Sequence, residues 1–309
     1  MPLPRPLSTT GRIAVAAPAS AALKRADVEA GLDALRARGL DVDDAQARVA
    51  PHGYLAGDDG ARADAFNALL RRGDLDAIVC LRGGYGSLRI LDRIDYAAAR
   101  AHPKLLVGYS DITALHLALY RHAGWTGLSG PMVAPDWPGL DAESEAQFWH
   151  VAGGAVGPIA GPGDERLVPL REGRAEGILL GGNLALTAAL VGTPYLPDLE
   201  GAILFLEDVG EAPYRIDGLL ARLRLAGVLG RLGGLVFGAF TDANAAPGRP
   251  SLTVDEVLAH YATFVGGPVA SGLVYGHMTR KATVPVGVRA RLEVADGQAE
   301  LATLSPVAT

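Results

Sequence analysis

Leu105-Leu106-Val107-Gly108-Tyr109-Ser110-Asp111-Ile112-Thr113-Ala114-Leu115 is the stretch on which the fold turns. A short apolar run, suited to a buried strand, ends at Gly108. From Asp111 onward Ile112, Leu115 and Leu119 recur at three- and four-residue spacing, which predicts an amphipathic helix to His122. A serine at such a strand-to-helix corner is held out from the sheet on a tight turn. The first N–H groups of the helix then point toward whatever its oxygen attacks. Gly108 supplies the small residue that a sharp corner needs, whereas the second glycine of G-x-S-x-G is replaced by Ile112. Two roles stand open for Ser110 on this stretch alone: a helix cap, since Ser and Asp favour that position, or a nucleophile.

Outward from the corner, the same rhythm of strand and helix continues in both directions. Toward the N-terminus, Ile13–Ala17 reads as a short buried strand, followed by a helix from about Lys24 to Arg38 with Val28, Leu32 and Leu35 on its apolar face. Gly39 is placed to end that helix. Leu40–Val42 suits a strand, residues 60–72 a second helix with Phe66, Leu69 and Leu70 inward, and Ala77–Leu81 a strand covered on both faces. Arg82-Gly83-Gly84-Tyr85-Gly86-Ser87 then forms a glycine-rich loop at that strand's carboxyl end. Strand and helix in alternation predict an open α/β sheet, and in such sheets ligands bind beyond the carboxyl ends of the strands. The glycine loop and Ser110 share that edge. Neither G-x-G-x-x-G nor G-x-x-x-x-G-K is present, which argues against a nucleotide cofactor.

After Trp149 the texture changes to a Gly- and Pro-rich stretch with neither helical nor strand period, through Gly163. The expected organisation is an N-terminal domain over residues 1–160, a linker over 161–174, and a second α/β domain over 175–309. Within the second, Ala175–Leu180, Ala202–Leu206, Leu235–Phe240 and Val269–Tyr275 read as strands. Helices are expected after Gly181-Gly182-Asn183, over Tyr214–Leu225 and over Thr253–Phe264. Val288–Val294 and Ala299–Leu304 around Asp296-Gly297 predict a C-terminal β-hairpin.

Composition limits the function classes. The chain has 309 residues, enough for two full cores, and a net charge of -6, which disfavours a nucleic-acid partner because neutralising phosphates needs clustered cations. One cysteine, Cys80 inside an apolar run, permits no internal disulfide and no Cys-rich metal site. Arg5 and Arg12 precede a small apolar stretch that resembles a secretion signal, but Pro18 interrupts it and an amphipathic helix follows directly. The expectation is a first strand and loop, no membrane span, and a cytoplasmic protein.

Glu207 and His277 share one property with Ser110: each follows closely on an apolar strand. A serine needs an imidazole to take its proton, and the imidazole needs a carboxylate to fix its tautomer. The order Ser…Glu…His fits a hydrolytic triad, with Asp208 and Glu211 as rival carboxylates and a purely structural histidine as the alternative.

These residues fall within an ordered set of motifs: Val15-Ala16-Ala17-Pro18, Arg82-Gly83-Gly84-Tyr85-Gly86, Gly108-Tyr109-Ser110-Asp111, Gly130-Pro131-Met132, Gly181-Gly182-Asn183-Leu184, Leu206-Glu207-Asp208, Pro213-Tyr214-Arg215-Ile216-Asp217 and Gly276-His277. In this set the chain resembles the LD-carboxypeptidases, a group that also includes the microcin C immunity peptidases. The resemblance implies a Ser110–Glu207–His277 triad split across two domains with the active site between them, no metal or cofactor, and usually a homodimer. It implies a murein peptide substrate, cut at the amide joining a C-terminal D-alanine to a diamino acid during cell-wall recycling. For the oxyanion, the N–H of Asp111 is one expected donor and Gly84 the favoured second, with Gly83 beside it. Arg82, Arg215 and Lys281 are the candidate cations for the substrate's terminal carboxylate. Two other readings compete. One is an immunity-type peptidase acting on a peptidyl-aspartate–nucleotide amide, for which no tryptophan after Trp149 is available to stack. The other is a non-catalytic binding protein for small ligands.

Overall fold

The run Ala77–Cys80 is buried along its whole length in the computed structural model, which describes residues 3–309 except 160, 162, 164 and 246. The strands and α-helices of the first stretch of chain are β1 (Arg12–Ala16), α1 (Arg25–Ala37), β2 (Asp41–Asp43), α2 (Asp59–Leu70), β3 (Ala77–Cys80), α3 (Tyr96–Ala101), β4 (Leu105–Val107), α4 (Thr113–Ala123), β5 (Gly127–Ser129) and α5 (Ala142–Ala152). The chain continues as β6 (Val168–Arg171), β7 (Gly173–Asn183), α6 (Leu184–Ala189), β8 (Ile203–Val209), α7 (Pro213–Leu225), β9 (Gly234–Thr241), α8 (Val254–Ala262) and β10 (Val269–Ser271). It ends with β11 (Val284–Val286), β12 (Val288–Ala295) and β13 (Gln298–Thr303). Two compact units result: residues 1–155 with 283–287 and 306–309, and residues 156–282 with 288–305.

The first unit is built on a six-stranded sheet in the order β11-β5-β4-β3-β1-β2. Its five N-terminal strands are parallel; β11 alone runs antiparallel, against β5. Local sequence explains the helices. Val28, Leu32 and Leu35 bury one stripe of α1, and Gly39, at φ +96°, turns the chain out of it. Asp58 and Asp141 cap α2 and α5 by accepting backbone N–H bonds. Parallel strands direct all their following loops to one edge, so the segments after β1, β3 and β4 meet there.

The second unit carries a seven-stranded mixed sheet, β13-β12-β7-β8-β9-β10-β6. β7, β8, β9 and β10 are parallel; β12 and β6 flank them antiparallel, and β13 pairs antiparallel with β12 at the sheet edge. The expected hairpin is present, turning through Asp296 and Gly297, both at positive φ. Among the described residues no helix is long and apolar enough to cross a membrane.

Several elements differ from the sequence expectation. The strand expected to run to Tyr275 stops at Ser271, because Gly272 adopts φ +78° and turns the chain away. Glu207 lies within β8 rather than after it, beside a register irregularity between Leu206 and Asp208. Residues 161–174, expected as a linker, include β6, whose exposed Val168 and central Pro169 give no periodic signal; positions 162 and 164 of that stretch lie outside the described residues. β5 and β11, three residues each, and α5 have no counterpart in the expectation.

Candidate active site

In the first unit the corner after β4 has the predicted form. Ser110 has φ +63° and starts a short 3₁₀ turn that runs into α4. The only other described non-glycine residues at positive φ are Asp242 and Asp296. Aspartate tolerates that region through local hydrogen bonds; serine there costs of order 1–3 kcal/mol and is found where the surroundings hold it. Capping does not account for it, since the residue at the N-cap of α4 is Ile112. Gly108 admits the corner because a Cβ would sit 3.1 Å from both Cys80 Cβ and Ile112 Cγ1.

Three neighbours hold this corner. His116, wholly buried on α4, hydrogen-bonds through Nε2 to the Gly108 carbonyl at 2.8 Å. Burial pushes its pKa down to about 4, against the smaller opposing effect of the Gly108 and Leu128 carbonyls, so the ring is neutral and donates from Nε2. Tyr109 donates its hydroxyl to Asp136 at 3.3 Å, and Asp136 also accepts the Met132 N–H at 2.8 Å, which joins the Gly130-Pro131-Met132 stretch to the corner. The carboxylate of Asp111 turns away from α4 and accepts the Ser87 N–H at 2.8 Å. Cys80, as expected, is a buried thiol, its pKa pushed up by burial and by the negative charge of Asp111.

The glycine loop stands against the serine. A Cβ on Gly83 would lie 3.0 Å from Ser110 Cβ and 3.3 Å from its Oγ, so only glycine lets the backbone come this near. Gly84 has φ +95° and an added Cβ would collide with Ser20 Oγ at 2.6 Å. Ser20, on the segment after β1, donates its N–H to the Gly83 carbonyl (3.2 Å) and accepts the Tyr85 N–H on its hydroxyl (3.1 Å). Buried Arg62 donates to the carbonyls of Gly86, at 3.0 Å, and Pro18. Among the described residues, the amides of Gly83 and Gly84 donate no hydrogen bond.

In the second unit His277 Nδ1 lies 2.8 Å from Glu207 Oε2. The Glu207 side chain is 0% exposed and that of His277 23%, so the imidazole is oriented from a buried side and reachable from the other. Gly276 makes the approach: it has φ +131°, and a Cβ there would be 2.9 Å from Glu207 Oε2. Asn183, at the end of β7, donates through Nδ2 to Glu207 Oε1 (3.2 Å) and Asp208 Oδ1 (3.0 Å), while its own oxygen accepts the Leu186 N–H at the start of α6. Asp208 accepts the Ala185 and Val209 N–H groups, and burial is the largest influence on its carboxyl, raising its pKa. Glu211 pairs with Arg215 at 3.7 Å. Of the three rival carboxylates, Glu207 is the one bonded to His277.

The structure therefore groups Ser110, Asp111, Gly83, Gly84 and Arg82 in the first unit and Glu207 with His277 in the second. Arg82 is half-buried and donates to the Ala21 carbonyl at 3.1 Å. Arg215 is exposed on α7 beside Tyr214 and Glu211. Lys281, four residues beyond His277, is buried. Among the described residues no group of three or more His, Cys, Asp or Glu could hold a metal ion. Ser20, Arg62, Asp136, His116 and Asn183 carry structural duties that the sequence reading did not assign. Ser20 could have been suspected, because it follows β1 toward the same sheet edge as the glycine loop.

Residues 13–130 match the LD-carboxypeptidase N-terminal domain and residues 176–292 the LD-carboxypeptidase C-terminal domain. The chain is 34% identical over 308 residues to a probable murein peptide carboxypeptidase of Bacillus subtilis (strain 168), covering 95% of this chain and 92% of that one. It is 33% identical over 290 residues to the murein tetrapeptide carboxypeptidase of Pseudomonas aeruginosa, with 92% and 93% covered. The crystal structure of muramoyltetrapeptide carboxypeptidase from Oxalobacter formigenes superposes with a TM-score of 0.81 at 31% identity, over 94% of this chain and 98% of that one.

Proposed function

This chain belongs to the LD-carboxypeptidase family, and from that premise we propose that it is a serine carboxypeptidase cutting the amide between a diamino acid and a C-terminal D-alanine in murein tetrapeptides. The observation that carries the serine chemistry is Ser110 at φ +63° on the strand-to-helix corner, against the Gly83 backbone. In this reading Ser110 Oγ attacks the scissile carbonyl and passes its proton to Nε2 of His277, because Nδ1 is engaged with Glu207. The C–N bond breaks as the imidazolium returns the proton to the leaving D-alanine amine. Water then hydrolyses the acyl-serine by the same route in reverse. The developing oxyanion takes hydrogen bonds from the Asp111 N–H and from the glycine loop, Gly84 first and Gly83 beside it. Arg82, Arg215 and Lys281 are the cations from which the terminal carboxylate's partner is drawn. A cytoplasmic homodimer serving cell-wall recycling completes the proposal.

The test is incubation with a murein tetrapeptide and detection of free D-alanine. Ser110→Ala should fold as wild type does and lose ~10⁴-fold or more in turnover, since triad members act as a unit. Retention of a tenth of wild-type activity removes Ser110 from the mechanism. Absence of D-alanine release, with hydrolysis of a peptidyl-aspartate–nucleotide amide instead, transfers the protein to the immunity-type activity.

A further inference from the structure

The residue after the nucleophile has a side chain whose behaviour neither capping nor the triad explains. Asp111 is 1% exposed, and its carboxylate reaches a segment 24 positions earlier to accept the Ser87 N–H. Ser87 opens a 3₁₀ helix and stands three residues after Gly84. Burying an ionised carboxylate costs several kcal/mol unless it is well satisfied. A helix start can be capped far more cheaply by a local Ser or Asp at the preceding position, which here is Gly86. The burial of Asp111 therefore secures something other than a helix end.

The other holds on the glycine loop show what is at stake. Ser20 fixes the Gly83 carbonyl and the Tyr85 N–H, and Arg62 fixes the Gly86 carbonyl. Those contacts tie the loop to the segment after β1 and to α2. The Asp111–Ser87 bond ties it to the corner that carries Ser110. Building on the functional reading above, we propose that the Asp111 carboxylate is a positioning residue that sets the distance between the two sources of oxyanion donors, its own N–H and the amides of the Gly83-Gly84 loop. One residue thus supplies a donor through its backbone and places the other donor through its side chain. The N–H groups of Ser87 and Gly86 and the positive charge of Arg62 stabilise the carboxylate, although burial dominates and raises its pKa.

Two variants test this, read by kcat and KM on the tetrapeptide and by the rate at which an aryl phosphonate ester labels Ser110. Asp111→Ala removes the tether, and kcat should fall by about 100-fold, the loss typical of one misplaced oxyanion donor, with KM within about threefold and phosphonate labelling slowed in proportion. Asp111→Asn keeps an acceptor for Ser87 but loses the charge assistance, and kcat should fall by about fivefold with KM unchanged. An Asp111→Ala protein that folds and keeps kcat within threefold overturns the proposal, as does a loss borne by KM. If Asp111→Ala does not fold, Asp111→Asn decides alone: kcat unchanged, or reduced more than 100-fold, overturns the proposal. Failure of the wild type to release D-alanine, or full activity in Ser110→Ala, refutes the underlying functional reading instead, so the two failures are distinct.

Discussion

Acidification of the first unit gives the sharpest quantitative expectation. His116 is buried behind the Ser110 corner with a pKa lowered from 6.5 to about 4, so the fold holds the ring neutral where an unfolded chain would protonate it. A folded pKa below the unfolded one means that the unfolded state binds the extra proton. The stability contribution is therefore complete above pH 6.5 and is lost as pH falls toward 4. At about 1.4 kcal/mol per pH unit the whole gap is worth about 3 kcal/mol, of which about 2.5 kcal/mol is gone by pH 4.5. The three tryptophans, Trp125, Trp137 and Trp149, all lie in the first unit, so their fluorescence follows the unfolding of that unit. Urea melts at pH 7.5 and 4.5 should be compared with those of His116→Gln, whose amide can donate to the Gly108 carbonyl but takes up no proton. Carboxylates titrating in the same window act on both proteins and cancel in the difference. The wild type should lose about 2.5 kcal/mol more than the variant between the two pH values. A difference under about 0.5 kcal/mol would show that the ring protonates in place, and the account of the corner as a dry, neutral support would fail.

Two further outcomes follow from the second unit. Gly276→Ala should destabilise the protein by about 1–3 kcal/mol through its φ of +131°, and reduce kcat because the new Cβ, 2.9 Å from Glu207 Oε2, displaces the carboxylate that orients His277; a thermal melt and a turnover assay both matching wild type would contradict this. Glu207→Gln should lower turnover by ~10⁴-fold, as loss of the orienting carboxylate does in other triads, while Asp208→Asn should cost about 1 kcal/mol of stability and leave turnover within tenfold; kcat values in the reverse order would assign the acid to Asp208.

What was legible in the sequence is what local pattern dictates. β3 and β4 are unbroken apolar runs, β1 is one after its first residue, Arg12, and α1 carries a clean apolar stripe, so their bounds fell within a residue or two of expectation. The corner that carries Ser110 could be read because a turn from a strand into a helix is a local event. Elements fixed by distant partners were hidden. β11 is three residues, Val284-Pro285-Val286, and is a strand only because β5 offers it an edge. β10 carries apolar residues well past its end, and Gly272 overrides the pattern. Asn183 stood in a recognised motif, yet its task depends on two carboxylates from a neighbouring strand, which no spacing along the chain discloses.

That pair of carboxylates also shows how one strand assigns two different tasks to adjacent acids. Glu207 and Asp208 follow one another in β8, and successive side chains of a strand point to opposite faces unless the strand is irregular. Here the register breaks between Leu206 and Asp208, which lets the Asn183 amide reach both acids with its two N–H groups. The remaining partners divide them. Asp208 takes the Ala185 and Val209 N–H groups, all of them backbone or amide donors, and so is committed to holding the start of α6. Glu207 has Asn183 on one oxygen and the imidazole of His277 on the other. An acid whose donors are backbone groups stabilises a fold, whereas an acid facing a partly exposed imidazole can stabilise an imidazolium when one forms. The role proposed for Glu207 thus rests on its hydrogen-bond partners, and the same inventory separates it from its neighbour, also a carboxylate and nearly as buried.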